Sequence, residues 1–276
     1  MNVNTMADVS SPLTLSIEDI RRRLVAPTVA RQLYLFGQVS STNAALRRFA
    51  LSGAPEGTVV LADAQAAGRG RMGQPWFSPA GVNLYASVLF RGPLSMAEAP
   101  VFSLIAGLAA ADAVAEFGAQ PVIKWPNDVL IDGRKIGGSL VECSVREGRV
   151  EYLILGVGVN LNVEPEALGA ALGPAAAAAT SLYAATGRRV DRSAFAADYL
   201  NALERWTHRF RTDGPAAVLT GWRDRDILTG RRVEIRGKGE PFMGRVIGLD
   251  EQGHLIVRGV LGEHRVVTTE EICPCD

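Results

Sequence analysis

The sequence is organised around the stretch Gly68-Arg69-Gly70-Arg71-Met72-Gly73, which is followed directly by Gln74-Pro75-Trp76. Its glycines allow tight turns and a close approach of the backbone to a ligand. If the loop is extended, its two arginines project to the same side, and their planar guanidinium groups suit carboxylate and phosphate oxygens. The stretch therefore favours a mobile, doubly cationic loop that binds an anion. A flexible surface turn with solvated arginines is the alternative that this pattern alone leaves open.

The same stretch satisfies the bare pattern G-x-G-x-x-G, which occurs in dinucleotide-binding folds and in protein kinases. A dinucleotide site needs a helix directly after the loop and an acidic residue about 20 residues later. Here Pro75 and Trp76 follow the loop, and Asp and Glu are absent from residues 72–96. A kinase needs a His-Arg-Asp catalytic loop, and none of the 3 histidines is followed by Arg-Asp. The sequence context therefore excludes both kinds of site.

Bulk composition limits the classes of partner. The 276 residues, 47% of them hydrophobic, predict one large domain or one large and one small domain. Because 29 basic residues balance 29 acidic ones, charge gives no reason to expect generic nucleic-acid or membrane-surface binding. No apolar run approaches the roughly 20 residues of a membrane span, and no signal-peptide pattern opens the chain. We therefore expect a cytoplasmic protein that binds neither DNA nor a membrane.

Cysteine usage adds little. Cys143, Cys273 and Cys275 do not have the spacing of a disulfide framework. Two thiols in the terminal Cys273-Pro274-Cys275 do not complete a zinc site, so a frayed, reduced tail is expected.

Hydrophobic periodicity predicts three regions, namely an N-terminal arm with one helix (1–30), a large domain that carries the candidate site residues (31–226) and a small β domain (227–276). The arm is too short for a winged helix-turn-helix. Strands are predicted at 33–39, 58–61, 82–90, 122–131 (with a turn), 135–142 and 149–162, and helices at 17–24, 44–53, 97–117, 193–211 and within 165–190. Short strands at 232–235, 242–249, 255–260 and 264–268, separated by Gly-rich turns, predict a compact SH3-like barrel.

Polar side chains interrupt the apolar pattern at the ends of predicted elements. Ser41, Thr42 and Asn43 precede a helix and exceed what one helix cap needs. Hydroxyl and amide groups at a helix N-terminus also suit carbonyl or N–H groups of a ligand. Gln65 lies between the strand predicted at 58–61 and the arginine loop, where its amide either contacts a ligand amide or is exposed. Trp76 either packs in the core or covers a ligand face.

A second polar group lies in the strand–turn–strand unit and beyond it. Lys124, Asn127 and Asp128 cluster at the turn, although Asn-Asp after proline is also ordinary turn chemistry. Asn160 ends a long apolar strand and is either a ligand contact or a strand-end turn residue.

Lys135 stands just before Gly137 and Gly138. Glycines inside a strand indicate a bulge or a place where another group approaches the backbone closely. This lysine is therefore well placed to meet an anionic ligand.

In their order and spacing, these motifs resemble the biotin–protein ligase family. The resemblance covers most of the chain and rests on 41–43, Gln65, 68–71, Trp76, 124–128, 135–138 and 156–160. It departs at Gln74, where many members have a second basic residue, and at Ser139, where an aliphatic residue is usual. It implies an α+β fold, in which a mixed sheet flanked by helices, similar to the core of class II synthetases and biotin–lipoate ligases, precedes a small C-terminal SH3-like β-barrel.

The resemblance implies a two-step reaction. The carboxylate of biotin attacks the α-phosphorus of ATP, which gives biotinoyl-5′-AMP and pyrophosphate. A lysine on a biotin carboxyl carrier domain of acetyl-CoA or related carboxylase then attacks this mixed anhydride. Mg²⁺ would balance the β- and γ-phosphates. A homodimer is left open.

The resemblance also implies roles for individual residues. Catalytic roles fall on Lys135, Arg69 and Arg71. The implied biotin-binding residues are Ser41, Thr42, Asn43, Gln65, Arg69, Gly70, Arg71, Lys135, Trp76, Gly137 and Gly138. The implied nucleotide-binding residues are Arg69, Arg71, Lys124, Asn127, Asp128, Lys135 and Asn160, with Asp128 also the candidate metal ligand. A lipoate–protein ligase relative and a non-enzymatic biotin-sensing regulator are the alternatives.

Overall fold

Strands and helices follow one another along the chain in a computed structural model, which describes residues 14–25, 28–236, 240–259, 262–266 and 271–275. The helices are α1 (Ile17–Arg23), α2 (Thr42–Leu51), α3 (Ala99–Glu116), α4 (Pro165–Leu172), α5 (Leu182–Thr186), α6 (Arg192–Asp213) and α7 (Pro215–Arg223). The strands are β1 (Gln32–Val39), β2 (Thr58–Gln65), β3 (Leu84–Phe90), β4 (Val122–Lys124), β5 (Asp128–Ile131), β6 (Arg134–Arg146), β7 (Arg149–Val159), β8 (Arg232–Arg236), β9 (Phe242–Leu249), β10 (Leu255–Gly259), β11 (Gly262–Val266) and β12 (Glu271–Pro274).

Seven of these strands form a mixed sheet in the order β1-β2-β3-β7-β6-β5-β4. β1 and β2 are parallel, and the other neighbours are antiparallel. Because alternate residues of a strand point to opposite faces, Val59 and Leu61 join a large core with α3 and α6, whereas Val60 joins a smaller core with α2. The predicted mixed sheet flanked by helices is therefore confirmed.

α3 is the central helix of the larger core. With the short helical turn before it, the segment Met96–Glu116 is long and apolar enough to cross a membrane by length and composition. The expectation that no apolar stretch approaches a membrane span is wrong in that respect. In the structure, most residues of α3 are buried, and Phe102 packs between Phe90 and Phe210. The apolar residues of α3 are therefore explained by their packing in the protein core.

α7 is a helix that the sequence analysis did not predict. Gly214, at φ 73°, ends α6, and Pro215 opens α7 at a position where a missing N–H is tolerated. Val218, Leu219 and Trp222 form its buried face. Their spacing and the Gly-Pro pair were the signals available in the sequence.

The C-terminal strands form an antiparallel sheet in the order β11-β10-β9-β8-β12. This small sheet is consistent with the predicted SH3-like domain. Barrel closure is not found, because among the described residues β11 and β12 remain at opposite edges. Residues 1–13, Pro27, Gly237, Gly239, Val260 and 267–268, which carried expectations for the arm, turns and strands, lie outside the described residues. The three-part division of the chain stays a prediction.

The expectation of a frayed tail at 273–275 is wrong. Cys273 and Pro274 belong to β12 and pair with β8, and Cys275 N donates to the carbonyl oxygen of Arg232 at 3.0 Å.

A hydrogen bond joins the two sheets. The buried Trp125 donates its indole Nε1 to the carbonyl oxygen of Gly253, at 2.9 Å, in the turn between β9 and β10. Gly253 has φ 82°, and its backbone lies against Leu104 of α3. The turn therefore packs on the core directly beside the strand–turn–strand unit of β4 and β5.

We expect Trp125→Phe to lower the free energy of unfolding by about 2 kcal/mol, because the Gly253 carbonyl loses its partner and a cavity opens. Urea unfolding measures the change. Trp222→Phe is the matched control, because this equally buried indole has no hydrogen-bond partner for Nε1 within the described ranges. Equal losses for the two variants would contradict a stabilising role for the Trp125 hydrogen bond.

Candidate functional site

One cavity of about 730 Å³ collects nearly all the residues predicted from the sequence. It lies above β6 and β7, between the N-terminus of α2, the Gly-rich loop and the β4–β5 turn. The predicted residues that line it are Ser41, Thr42, Asn43, Gln65, Arg69, Gly70, Arg71, Trp76, Lys124, Asn127, Asp128, Lys135, Gly138 and Asn160. Gly137 does not line it, since a side chain there would meet Val159 within the sheet.

The Gly-rich loop is folded and not extended, which corrects the geometry assumed from the sequence. Gly70 N donates to Gln74 O at 2.7 Å, and Trp76 N donates to Gly68 O at 2.9 Å. A tight helical turn over Arg71–Gly73 lies between these bonds, with Met72 at φ 54°. Backbone hydrogen bonds thus hold the base of the loop, while Met72 is 70% exposed at its tip.

This folding gives the two arginines different environments. Arg69 is exposed, whereas Arg71 is half-buried. The Arg71 Nη2 atom is buried without a hydrogen-bond partner in the described part of the chain. Burial lowers the pKa of Arg71, and the nearby Asp128 opposes that shift. Arg71 is therefore a cationic residue at the cavity whose Nη2 atom can donate a hydrogen bond to a ligand.

Hydroxyl and amide groups form one wall of the cavity. Ser41 caps α2 by accepting from Ala44 N at 3.1 Å, which leaves the next two polar residues free for other contacts. Gln65, which the sequence left open, is half-buried, and its Oε1 accepts from Thr42 N at 2.9 Å. Its Nε2 donates to Ser78 Oγ at 3.0 Å. This network holds hydroxyl and amide groups in fixed orientations at the cavity surface.

Asn43 belongs to the same wall. Its side-chain amide is hydrogen-bonded by two residues that the sequence analysis did not single out. Ser87 Oγ donates to Asn43 Oδ1 at 2.6 Å, and Asn43 Nδ2 donates to Glu142 Oε2 at 2.8 Å. Glu142 also pairs with Arg47 at 2.6 Å. The amide lies directly over Gly156, where a Cβ would overlap its oxygen. The available signal was the polar residue inside each apolar strand.

Charged groups gather at the other end of the cavity. Lys135 Nζ is 2.5 Å from Asp128 Oδ1, and both atoms lie over Gly138, whose added Cβ would be 3.3 Å and 3.4 Å from them. The bulge predicted near these glycines is present as a register shift between β5 and β6. Lys135 Nζ is also 5.5 Å from the centroid of the Trp76 ring. Trp76 covers Gly158, and its Nε1 has no hydrogen-bond partner among the residues described.

The asparagines near this end are held by backbone carbonyls. Asn127 Nδ2 donates to Ser139 O at 2.6 Å, and Asn160 Nδ2 donates to Thr180 O at 3.0 Å. The two residues that depart from the family pattern differ in solvent exposure, since Gln74 is exposed and Ser139 is buried. Within the described ranges, no group of three or more His, Cys, Asp or Glu side chains could hold a metal ion.

Comparisons with known proteins identify relatives of this chain. A model of the biotin/lipoate A/B protein ligase family matches residues 35–160. The chain is 34% identical to a biotin–[acetyl-CoA-carboxylase] ligase of Paracoccus denitrificans, over 86% of this chain and 98% of that protein. It is 32% identical to the bifunctional ligase/repressor BirA of Bacillus subtilis, over 95% of this chain and 80% of that protein. A solved biotin protein ligase from Aquifex aeolicus, in complex with biotin and ATP, superposes with a TM-score of 0.75 at 26% identity, covering 88% of this chain and 99% of that one.

Proposed function

The chain belongs to the biotin/lipoate A/B protein ligase family and is a biotin–protein ligase, and we propose that its cavity holds biotin and ATP side by side for both steps of that reaction. The observation that carries this proposal is the division of one cavity into an amide–hydroxyl wall and a cationic end. Biotin combines a neutral urea ring with a carboxylate, so it needs both. A triphosphate needs the cationic end alone.

The amide–hydroxyl wall suits the ring of biotin. The urea has N–H donors and a carbonyl acceptor, and Thr42, Asn43 and Gln65 offer partners for both. Ser87 and Glu142 fix the amide of Asn43, so this wall is set before the ligand arrives. A preorganised wall loses less entropy on binding. The ring of Trp76 offers apolar surface beside this wall. Gly138, which lies under the side chain of Lys135, adds no side chain of its own there.

We expect Gly156→Ala to raise the KM for biotin about tenfold or more, because the new methyl group would displace the amide of Asn43. Pyrophosphate release at varied biotin concentration measures it. Gly37→Ala is the control, since this glycine is also in a strand and a Cβ there would meet no described atom within 4 Å. A Gly156→Ala enzyme with unchanged KM for biotin would contradict the placement of the ring.

The cationic end suits the first chemical step. The biotin carboxylate oxygen forms a bond to the α-phosphorus while the bond to the pyrophosphate oxygen breaks, and pyrophosphate leaves. Both reactants are anions, so positioning and charge neutralisation are the main tasks of the protein. Lys135 would bridge the carboxylate and the α-phosphate, and Arg71 and Arg69 would close over the adenylate. Lys124, Asn127 and Asn160 would contact the nucleotide.

Mg²⁺ is expected with the triphosphate. Mg²⁺ commonly takes one or two carboxylates together with phosphate oxygens, and Asp128 fits that pattern with its carboxylate at the cavity surface. Asp128 would then share its oxygens between the ion and Lys135. When bound, the ion would neutralise the β- and γ-phosphates.

The second step needs a carrier protein. The amine of a carrier lysine would attack the carbonyl carbon of the mixed anhydride, forming the amide and expelling AMP. Relatives named biotin–[acetyl-CoA-carboxylase] ligases indicate a carboxylase carrier. We infer a carrier domain of acetyl-CoA or a related carboxylase, and a cytoplasmic location in keeping with it.

Mass spectrometry of an isolated carrier domain tests the function. Incubation with the protein, biotin and ATP should add one biotin to one lysine, and omission of ATP should abolish the addition. Lipoate in place of biotin separates the lipoate-ligase alternative. Lipoylation without biotinylation would overturn the proposed substrate.

A further inference from the structure

Two buried asparagines at the edge of the cavity have amide groups whose orientation is settled by the backbone. Asn83 is fully buried, and its Oδ1 accepts from Leu161 N at 2.9 Å. Asn160 donates Nδ2 to Thr180 O at 3.0 Å. A backbone N–H can only donate and a carbonyl can only accept, so neither amide can be reversed without losing its partner.

These constraints make the two asparagines complementary. The Nδ2 atom of Asn83 faces Asn160 and donates to its Oδ1 at 3.3 Å. Each amide oxygen has a second acceptor site, and each amide nitrogen has a second hydrogen. Asn160 therefore keeps one acceptor site and one donor for a ligand. An asparagine with this pair of groups free matches the donor–acceptor edge of adenine.

Further hydrogen bonds hold the residues on both sides of the Asn83–Asn160 pair. Arg192 is 1% exposed, and its Nε donates to the carbonyl oxygen of Asn83 at 3.0 Å. Its Nη1 pairs with Asp63 at 2.7 Å. On the other side, Thr180 N donates to the carbonyl oxygen of Lys135 at 2.9 Å. A continuous set of hydrogen bonds thus runs from the start of α6 to the backbone of the candidate catalytic lysine.

We propose that Asn83 is a positioning residue, which fixes the amide of Asn160 so that its oxygen and one N–H are presented to the base of the nucleotide. This inference rests on the proposed contact between Asn160 and the nucleotide. Asn83 itself does not line the cavity, so it acts through Asn160. In the proposed arrangement biotin would contact a different set of residues around Thr42 and Gln65, which are joined by their own hydrogen bond.

Asn83→Asp is the sharpest test, because it keeps the shape and replaces the donor that faces Asn160 by an acceptor. Asn160 cannot turn its amide in response, since its nitrogen is required by Thr180 O. We expect the KM for ATP in pyrophosphate release to rise about tenfold, with kcat and the KM for biotin within about twofold of the unchanged protein. Asn162→Asp is the matched control, since this buried asparagine spans the N–H and C=O of Val190 and lies off the cavity. It should leave the KM for ATP within about twofold.

The double variant decides whether Asn83 acts through Asn160. In an Asn160→Ala background, Asn83→Asp should raise the KM for ATP no further, because contacting residues are not additive. If Asn83→Asp does not fold, Asn83→Ser replaces it, with an expected rise of about threefold. A rise that persists in the Asn160→Ala background would overturn the inference. So would an unchanged KM for ATP in Asn83→Asp when Asn160→Ala raises it. If Asn160→Ala itself leaves the KM for ATP unchanged, the proposed nucleotide contact fails first, and the inference falls with it.

Discussion

Replacement of Lys135 by alanine should slow the release of pyrophosphate from biotin and ATP by about 10²–10³-fold, the loss typical when one preorganised charge is removed from a transition state. Lys135 is at the cavity surface, 2.5 Å from Asp128. Without it, the carboxylate of biotin and the α-phosphate would repel each other with no cation between them. The carboxylate of Asp128 would add a further negative charge.

Rapid-quench measurement of pyrophosphate in a single turnover isolates this step from transfer to the carrier. Lys124→Ala is the matched control, because Lys124 lines the same cavity but is not a member of the Lys135–Asp128 ion pair. We expect a smaller loss there, expressed mainly in the KM for ATP. If Lys135→Ala released pyrophosphate at the original rate, Lys135 would have no part in the first step.

Arg71→Gly is expected to let biotinoyl-5′-AMP escape about 10- to 100-fold faster, which corresponds to the ~1.5–3 kcal/mol of a hydrogen bond to a charged group. The half-buried guanidinium has an unpartnered Nη2 beside the cavity. An adenylate phosphate would satisfy it and draw the loop over the intermediate. A closed loop also keeps water from the mixed anhydride. An escaped anhydride reacts with any exposed lysine.

Biotin incorporated into an unrelated protein, in the absence of a carrier, measures the escape. Arg69→Gly is the natural comparison, because Arg69 lies two residues away and is exposed. The same glycine introduced there should cause a smaller leak. Tighter retention of the intermediate by Arg71→Gly would refute the proposed role of this arginine.

Local pattern was sufficient to predict most of the fold. Consecutive apolar residues such as Val59, Val60 and Leu61 indicate a strand covered on both faces, and the structure has such a strand. α7 was missed because its apolar face is short and follows α6 after one glycine. Closure of the small barrel depends on pairing between distant strands, which local periodicity does not encode.

The candidate site could be predicted where its polar and charged residues are close together in the sequence. Motifs such as Ser41-Thr42-Asn43 and the Arg69–Arg71 loop lie together at one cavity. Ser87, Glu142 and Asn83 were not predicted, because their importance lies in partners 44, 99 and 77 positions away along the chain. The compact shape of the Gly-rich loop was missed for a related reason, since glycines permit many turns and a specific set of backbone hydrogen bonds selects one.

The hydrogen bond from Trp125 to Gly253 limits how much of the C-terminus of this ligase could be deleted. A truncation that stopped near residue 226 would retain the lining residues of the seven-stranded sheet, yet it would remove the oxygen that receives the indole and the turn that shields Leu104. Lys124 directly precedes that tryptophan, and Asn127 follows it by two positions. The C-terminal sheet therefore stabilises the end of the cavity that we propose to bind the nucleotide, and shortened forms of the enzyme should keep this sheet.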